Sequence, residues 1–183
     1  MAYRLKKTVA LIGMMGSGKT AIGTALARAI GVPFLDSDAE ITAAANMTVP
    51  EIFARFGERF FREKESQVIA RLLRERVGIL STGGGAFLDP GNRAMIAERG
   101  VAVWLRADLD LLWARVRHKD TRPLLRTADP YGTLKALLEA REPIYAEAEL
   151  VADAMPGYSI EEMTGRVIDV LLTRPDVLER KAA

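Results

Sequence analysis

Short apolar runs alternate along the chain with longer segments in which apolar residues recur every three to four positions. The runs occupy residues 9–12, 33–35, 78–80, 101–105 and, more weakly, 150–152. A strand that is covered on both faces is apolar throughout, whereas a surface helix is apolar on one side only. The alternation therefore predicts an α/β fold in which helices cover both faces of a parallel sheet.

Polar residues and glycines mark where the predicted helices begin and end. Thr48 and Ser159 each precede a glutamate by three positions, which is the spacing of a capping box. Asp89 stands before a proline at an expected first helical position, and Gly31 and Gly57 are typical of helix ends. These residues divide the chain into short, well-bounded elements.

The length and composition predict one domain. A chain of 183 residues with 49% hydrophobic content is too short for two full cores. We assign residues 1–175 to this domain and expect the polar end, 176–183, to fray. Residues 116–129 are charged and lack clear periodicity, which is typical of a mobile surface loop and makes this segment a candidate lid.

The charge balance and residue usage exclude several classes of function. A formal charge of +2 and an aromatic content of 7% provide neither the basic stripe nor the stacking platforms of a nucleic-acid-binding protein. The chain has no cysteine, which fits a reducing compartment. It shows neither a secretion signal nor an apolar run long enough to span a membrane. We therefore do not expect secretion, and any site that binds an anion must be local.

The first strand runs into a glycine-rich loop and then into an alanine-rich stretch that favours a helix. The loop reads Gly-Met-Met-Gly-Ser-Gly-Lys-Thr, the phosphate-binding pattern of a P-loop. Its backbone N–H groups surround phosphate, Lys19 reaches the β- and γ-phosphates, and the Thr20 hydroxyl ligates Mg²⁺. The expected ATP-binding residues here are Gly13, Gly16, Ser17, Gly18, Lys19 and Thr20.

The alternative of a dinucleotide-binding turn does not fit this loop. That turn requires the spacing Gly-x-Gly-x-x-Gly and a later acidic residue for the ribose. Here the glycines stand at 13, 16 and 18, and Lys19-Thr20 follows.

Two carboxylates follow the second predicted strand. Asp36 and Asp38 come at its carboxyl end, the edge at which open α/β sheets bind ligands. Ser37 or Asp38 could alternatively only cap the next helix.

The P-loop and the later motifs together resemble the shikimate kinase family over nearly the whole chain. The later motifs are Asp36-Ser37-Asp38, residues 57–65 (Gly-Glu-Arg-Phe-Phe-Arg-Glu-Lys-Glu), residues 82–85 (Thr-Gly-Gly-Gly), residues 121–125 (Thr-Arg-Pro-Leu-Leu), and Arg141 followed by Tyr145. The resemblance implies a nucleoside-monophosphate-kinase-like fold, with a five-stranded parallel sheet of order 2-3-1-4-5, a substrate-binding region at about 37–65 and a lid. It also implies a cytoplasmic monomer that transfers the γ-phosphoryl group of ATP to the 3-hydroxyl of shikimate, in aromatic amino-acid biosynthesis.

The same resemblance implies a role for each site residue. Shikimate would be held by Asp38, Arg62, Gly83, Gly84, Gly85 and Arg141, with Glu65 pairing with Arg62 one helical turn away. Asp38 is then the candidate general base, and it joins Lys19 and Arg122 as the catalytic set.

Three further assignments concern the nucleotide and the metal. Arg122 resembles the family's lid arginine over the β- and γ-phosphates. Arg115 resembles the arginine that stacks on adenine, although a role on a helix surface stays open. Asp36 and Ser81 are expected to contact Mg²⁺ through water.

Other functions remain as alternatives. A different small-molecule kinase of the same fold, such as a gluconate kinase, would share the P-loop but would not need two arginines directed at a carboxylate. A catalytically silent ATP-binding module would not need Lys19, Asp38 and Arg122 together. The sequence also departs from the family pattern at 152–156, which leaves adenine contacts near Asp153 and Pro156 open.

Overall fold

The computed structural model describes residues 2–118 and 125–183. Strands and helices alternate along these residues. The strands are β1 (Tyr3–Leu5), β2 (Thr8–Ile12), β3 (Phe34–Asp36), β4 (Ile79–Ser81), β5 (Gly100–Arg106), β6 (Leu150–Asp153) and β7 (Leu178–Arg180). The α-helices are α1 (Lys19–Ile30), α2 (Ser37–Ala45), α3 (Val49–Phe56), α4 (Glu58–Glu75), α5 (Pro90–Arg99), α6 (Leu109–Val116), α7 (Pro130–Tyr145) and α8 (Ile160–Leu172), and a short 3-10 helix spans Ala86–Leu88.

Five of the strands form one parallel sheet in the order β3-β4-β2-β5-β6. Numbered along the chain, these five strands have the order 2-3-1-4-5, so the predicted fold class and strand order are confirmed. β2 is buried along its whole length and lies at the centre of the sheet. The continuous apolar runs in the sequence therefore reflect strands that are covered on both faces.

The strands β2, β3 and β4 end at the same edge of the sheet. Ser81, at the end of β4, is in register with Leu11 of β2 and with Asp36 of β3. Because the three strands are parallel, the segments that follow them leave this edge side by side. These segments are the P-loop, residues 37–38 and the triple-glycine turn at 83–85.

The buried apolar residues form two separate clusters. The larger cluster lies on both sides of the sheet. The smaller cluster contains Ile41, Ile52 and Phe61, which come from α2, α3 and α4. The region expected to bind substrate, 37–65, thus has a small core of its own.

Asp36 caps helix α2. Its Oδ1 accepts a hydrogen bond from the backbone N–H of Ala39 at 3.0 Å, and its backbone is extended, as is usual for an N-cap residue. The alternative in which Ser37 or Asp38 caps this helix is therefore wrong. Asp38 lies in the first turn of α2, and its carboxylate does not cap the helix.

The other predicted helix boundaries agree with the structure. The Thr48, Asp89 and Ser159 side chains each accept a backbone hydrogen bond at a helix start, and at Ser159 both bonds of the capping box are present. Gly31 and Gly57 follow the last residues of α1 and α3. Within residues 2–118 and 125–183, no helix is both long and apolar enough to cross a membrane.

Residues 177–180 pack into the fold, within the segment 176–183 that the sequence predicted to fray. Strand β7 pairs antiparallel with β1, and Leu5 lies opposite Leu178. Leu178 is 1% exposed and Val177 is fully buried, so the tail contributes apolar side chains to the main core. The polar residues on either side of Val177 and Leu178 masked this contribution in the sequence, because they form ion pairs at the surface, such as Glu179 with Lys6 at 2.7 Å.

We predict that Leu178→Ala lowers the free energy of unfolding by about 2–4 kcal/mol. The change removes a buried side chain and leaves a cavity that the surrounding residues do not fill. The matched control is Arg180→Ala, an exposed position in the same strand, which should change stability by less than about 0.5 kcal/mol. Urea denaturation measures both. Equal stability of the two variants would mean that the tail is not packed.

Candidate active site

The glycine-rich loop between β2 and α1 makes a tight path that only glycine tolerates at two of its positions. Gly16 and Gly18 have φ values of +82° and +94°. A β-carbon at Gly16 would also lie 2.7 Å from Val116 Cγ1. The loop is therefore held against helix α6, and its backbone curls at the N-terminus of α1, where N–H groups and the helix dipole favour an anion.

The polar side chains of this loop point into it. Lys19 Nζ donates to the carbonyl oxygens of Gly13 and Met14, at 2.7 and 3.0 Å, and thus lies across the loop. Ser17 is 1% exposed, and its Oγ has no hydrogen-bond partner within the described residues. A cation and a buried hydroxyl inside a ring of backbone amides match the chemistry of a phosphate site.

Arg115 lies on α6 beside the P-loop. Its Nη1 donates to the carbonyl oxygen of Gly16 at 3.0 Å, and the side chain is half-buried. Sequence reasoning left open whether this arginine only covers the surface of its helix. The hydrogen bond places the planar guanidinium against the phosphate loop.

Asp38 is the central carboxylate at the carboxyl edge of the sheet. Burial raises its pKa, and so does the nearby charge of Asp36, while Lys19 and Arg62 act in the opposite direction. Its Oδ1 is buried and has no hydrogen-bond partner among the described residues. An under-satisfied carboxylate beside two cations is suited to accept hydrogen bonds, or a proton, from a bound molecule.

The triple-glycine turn approaches three functional side chains in succession. A β-carbon at Gly83 would lie 3.0 Å from Asp38 Oδ1, and one at Gly84 would lie 3.3 Å from Arg141 Nη1. A β-carbon at Gly85 would overlap the guanidinium of Arg62. The turn therefore brings Asp38, Arg62 and Arg141 together around its backbone, and it leaves room for them only because it has no side chains.

Arg62 is oriented by glutamates on its own helix. Its Nη1 donates to Glu65 Oε1 at 2.9 Å, and its Nε lies 3.6 Å from Glu58 Oε1. The Glu65 side chain is 1% exposed, whereas that of Glu58 is 68% exposed, so Glu65 makes the stronger contact. Burial raises the pKa of Glu65, and Arg62 partly offsets this effect.

Tyr145 contacts the same turn, although sequence reasoning assigned it no role. Its hydroxyl donates to the carbonyl oxygen of Gly84 at 2.6 Å, and the side chain is fully buried. It stands four residues after Arg141 on α7, so both face the turn. The four-residue spacing of Arg141 and Tyr145, which places both on one helix face, was the sequence signal that could have indicated a role for Tyr145.

The residues expected to act on Mg²⁺ lie at the ends of α1, β3 and β4. Thr20 is exposed in the first turn of α1, and Asp36 and Ser81 are register partners on adjacent strands. Hydroxyl and carboxylate oxygens are the donors that Mg²⁺ prefers, so the donor set fits the ion. The described residues contain no group of three or more His, Cys, Asp or Glu that could hold a metal.

The sequence also indicated two regions for contacts with the nucleotide, around Arg122 and around Asp153. Arg122, with most of the proposed lid sequence motif, falls in 119–124 and lies outside the described residues. Asp153, near the uncertain adenine contacts, forms a fork with Arg106 at 2.5 and 3.0 Å. This fork lowers the pKa of Asp153 and engages both of its carboxylate oxygens.

The geometry combines a phosphate loop with a separate polar pocket at the same edge of the sheet. The loop has the chemistry of a triphosphate site, and the pocket groups the Asp38 carboxylate with the Arg62 and Arg141 guanidinium groups, a set that is suited to a small polar molecule. Fold and site together define a P-loop kinase.

Comparisons with known proteins identify the particular family. The family model described as shikimate kinase matches residues 15–172. Shikimate kinases from Cereibacter sphaeroides and Ruegeria pomeroyi are 66% and 65% identical to this chain, over 96% and 97% of it and 88% and 91% of their own lengths. A solved structure of shikimate kinase from Acinetobacter baumannii in complex with shikimate has a TM-score of 0.86 and 34% identity, and the match covers 91% of this chain and 93% of that one. The chain belongs to the shikimate kinase family.

We predict that Asp38→Asn raises the melting temperature at neutral pH, because it removes a buried charge whose folded-state pKa is raised. A raised pKa means that the folded state binds the proton more tightly, so the charge becomes destabilising as pH rises through that pKa. The gain should therefore vanish in acid, where Asp38 is protonated in both states. Calorimetry at several pH values measures this, with the exposed Asp169→Asn as control. A lower melting temperature for Asp38→Asn at neutral pH would contradict the assignment.

Proposed function

We propose that this chain transfers the γ-phosphoryl group of ATP to the 3-hydroxyl of shikimate, giving shikimate 3-phosphate and ADP. The observation that carries the proposal is the grouping of Asp38, Arg62 and Arg141 around the triple-glycine turn, beside the P-loop. Shikimate is a small ring acid with several hydroxyl groups, so it needs cationic forks for its carboxylate and an acceptor for its hydroxyl protons.

The nucleotide binds along the P-loop in this proposal. Backbone N–H groups of residues 13–18 surround the phosphates, and Ser17 Oγ adds a donor from inside the loop. Lys19 exchanges its bonds to the Gly13 and Met14 carbonyls for phosphate oxygens, where its charge opposes the charge that develops during transfer.

Mg²⁺ accompanies the nucleotide. The chemistry that Mg²⁺ would supply here is neutralisation of negative charge on the phosphates. The Thr20 hydroxyl would hold it directly, and Asp36 and Ser81 would hold it through water. The position of Thr20 at the start of α1 and the pairing of Asp36 with Ser81 at the sheet edge support this assignment.

The acceptor binds between α4, the triple-glycine turn and α7. Arg62 and Arg141 donate to its carboxylate, and the Glu65 contact orients Arg62 for this purpose. Gly83, Gly84 and Gly85 line the pocket with backbone, since a larger residue at any of them would displace one of the three binding side chains. The pocket thereby selects a small molecule that carries a carboxylate.

Asp38 orients the reacting hydroxyl and accepts its proton. Phosphoryl transfer passes through a loose transition state, so the proton leaves late and positioning carries most of the rate. The buried, unpartnered Oδ1 supports this role, because it lacks a competing donor within the described residues. Its raised pKa makes the carboxylate a better base than an exposed aspartate.

The proposal also assigns two arginines to the nucleotide and gives the oligomeric state and location of the chain. Arg115 is held beside the P-loop by Gly16, which supports a stacking contact with the adenine. Arg122 covers the β- and γ-phosphates as the lid arginine, an assignment that depends on its sequence motif alone. We further propose that the chain works as a monomer in the cytoplasm, which sedimentation and cell fractionation would test.

The acceptor assignment is tested by ADP release with Mg²⁺-ATP and a panel of acceptors. The panel contains shikimate, gluconate, nucleoside monophosphates and no acceptor. We expect turnover with shikimate alone, and we expect Lys19→Ala to abolish it while far-ultraviolet circular dichroism stays unchanged. Turnover only with gluconate or a nucleotide would leave a P-loop kinase and overturn the acceptor pocket as described.

We predict that Arg141→Ala weakens shikimate binding by about 2–5 kcal/mol, because the acceptor carboxylate would lose a charged hydrogen-bonding partner. The KM for ATP should stay unchanged, since Arg141 lies on the acceptor side of the triple-glycine turn. Steady-state kinetics with each substrate varied in turn measures both effects. The exposed Arg99→Ala serves as control for loss of one positive charge. An unaltered shikimate affinity in Arg141→Ala would reject the assignment.

A further inference from the structure

Tyr145 connects the central sheet to the acceptor pocket. It is the last residue of α7 and is fully buried. Its ring lies 6.0 Å from that of Trp104 on β5, at an interplanar angle of 41°. Its hydroxyl reaches the other way and donates to the carbonyl oxygen of Gly84 at 2.6 Å. A rigid aromatic side chain thus spans the distance between a sheet strand and the turn.

The residue that accepts this bond is the middle one of the triple-glycine turn. On its other side, Gly84 lies against Arg141, because a β-carbon there would be 3.3 Å from Arg141 Nη1. Arg141 and Tyr145 are one helical turn apart, so a single face of α7 holds Gly84 through both side chains. A shift of Gly84 would carry its neighbours, which contact Asp38 and Arg62.

The hydroxyl is suited to be a permanent donor. A carbonyl oxygen can only accept, so the phenol must keep its proton to make the bond. Burial raises the pKa of Tyr145, while nearby Arg141 acts in the opposite direction. The tyrosine therefore stays protonated over the pH range in which kinases work, and the bond persists.

Trp104, which contacts the ring of Tyr145, lies beside the phosphate loop. Trp104 is in register with Ile12, the last residue of β2, and the P-loop begins at the next position. The strand pairing with Ile12 holds Trp104 in the central sheet, and the ring contact fixes Tyr145 to Trp104. The hydrogen bond to Gly84 then fixes the hydroxyl of Tyr145 to the turn.

We propose that Tyr145 is a positioning residue for phosphoryl transfer: its hydroxyl sets the place of the triple-glycine turn, and thereby the spacing of the groups that bind the acceptor. The inference rests on the proposed function, because it takes shikimate as the molecule in that pocket. It assigns to Tyr145 no contact with either substrate. We expect its effect to fall on the acceptor half, because its hydroxyl bonds to the triple-glycine turn and makes no hydrogen bond to the P-loop among the described residues.

The test is Tyr145→Phe, which removes the hydroxyl and keeps the ring against Trp104. We expect the dissociation constant of shikimate, measured by calorimetry without nucleotide, to rise about tenfold, because the change leaves the Gly84 carbonyl without its donor and removes the contact of the hydroxyl with Arg141. The KM for shikimate should rise with it. The KM for ATP should stay within about a factor of two, because within the described residues the Tyr145 hydroxyl bonds to the triple-glycine turn and not to the P-loop.

The matched control is Thr8→Val, which removes a buried hydroxyl at the far end of β2. Thr8 Oγ1 donates to the carbonyl oxygen of Arg76 and accepts from Gly78 N, at 3.1 and 3.3 Å. This variant should lose a similar amount of thermal stability while its shikimate affinity stays at the parent value. The comparison separates a loss of stability from a loss of positioning.

Three results would count against the inference. If Tyr145→Phe only lowers the melting temperature, as Thr8→Val does, the tyrosine is structural. If the constants for ATP and shikimate rise together, its effect is not confined to the acceptor pocket. If the parent itself neither binds nor phosphorylates shikimate, the proposed function fails and the inference fails with it, so the parent measurement distinguishes the two failures.

Discussion

The parallel pairing of β4 between β2 and β3 is the constraint on which the site depends. Each of these strands contributes a different functional segment directly after its last residue, and the register brings the three ends level with one another. The backbone alone places the phosphate loop, the Asp38 carboxylate and the glycine turn at one edge of the sheet, so the site does not depend on long side chains. The helices that follow then supply the cations, Lys19 from α1, Arg62 from α4 and Arg141 from α7.

The close approach of charged side chains to bare backbone has an energetic cost. Asp38 and Glu65 each bury a carboxylate oxygen that has no hydrogen-bond partner within the described residues. Such atoms destabilise a folded chain unless a bound molecule satisfies them, and functional sites are where they accumulate. The small second core under α2, α3 and α4 offsets part of this cost, since it fixes the helices that carry both carboxylates.

The sequence predicted the fold well because its signals were local. Apolar runs located the five strands of the main sheet to within about one residue at most ends, and the P-loop pattern located the nucleotide site, because both depend on neighbouring positions. Asp36 shows where local reading fails. The sequence offered Ser37 and Asp38 as possible caps, whereas the direction in which the chain leaves β3 makes Asp36 the cap.

The other features that the sequence did not predict are contacts between residues that are distant in sequence. Tyr145 meets Gly84 from 61 positions away, and no periodicity in the sequence indicates that contact. Leu178 looked like part of a polar tail because its apolar partners lie in the main core. Its pairing with Leu5 also bears on biosynthesis. The antiparallel pair of β1 and β7 cannot form until Arg180 has emerged from the ribosome, so Tyr3–Leu5 stay without a partner strand while the whole of the main sheet is being synthesised.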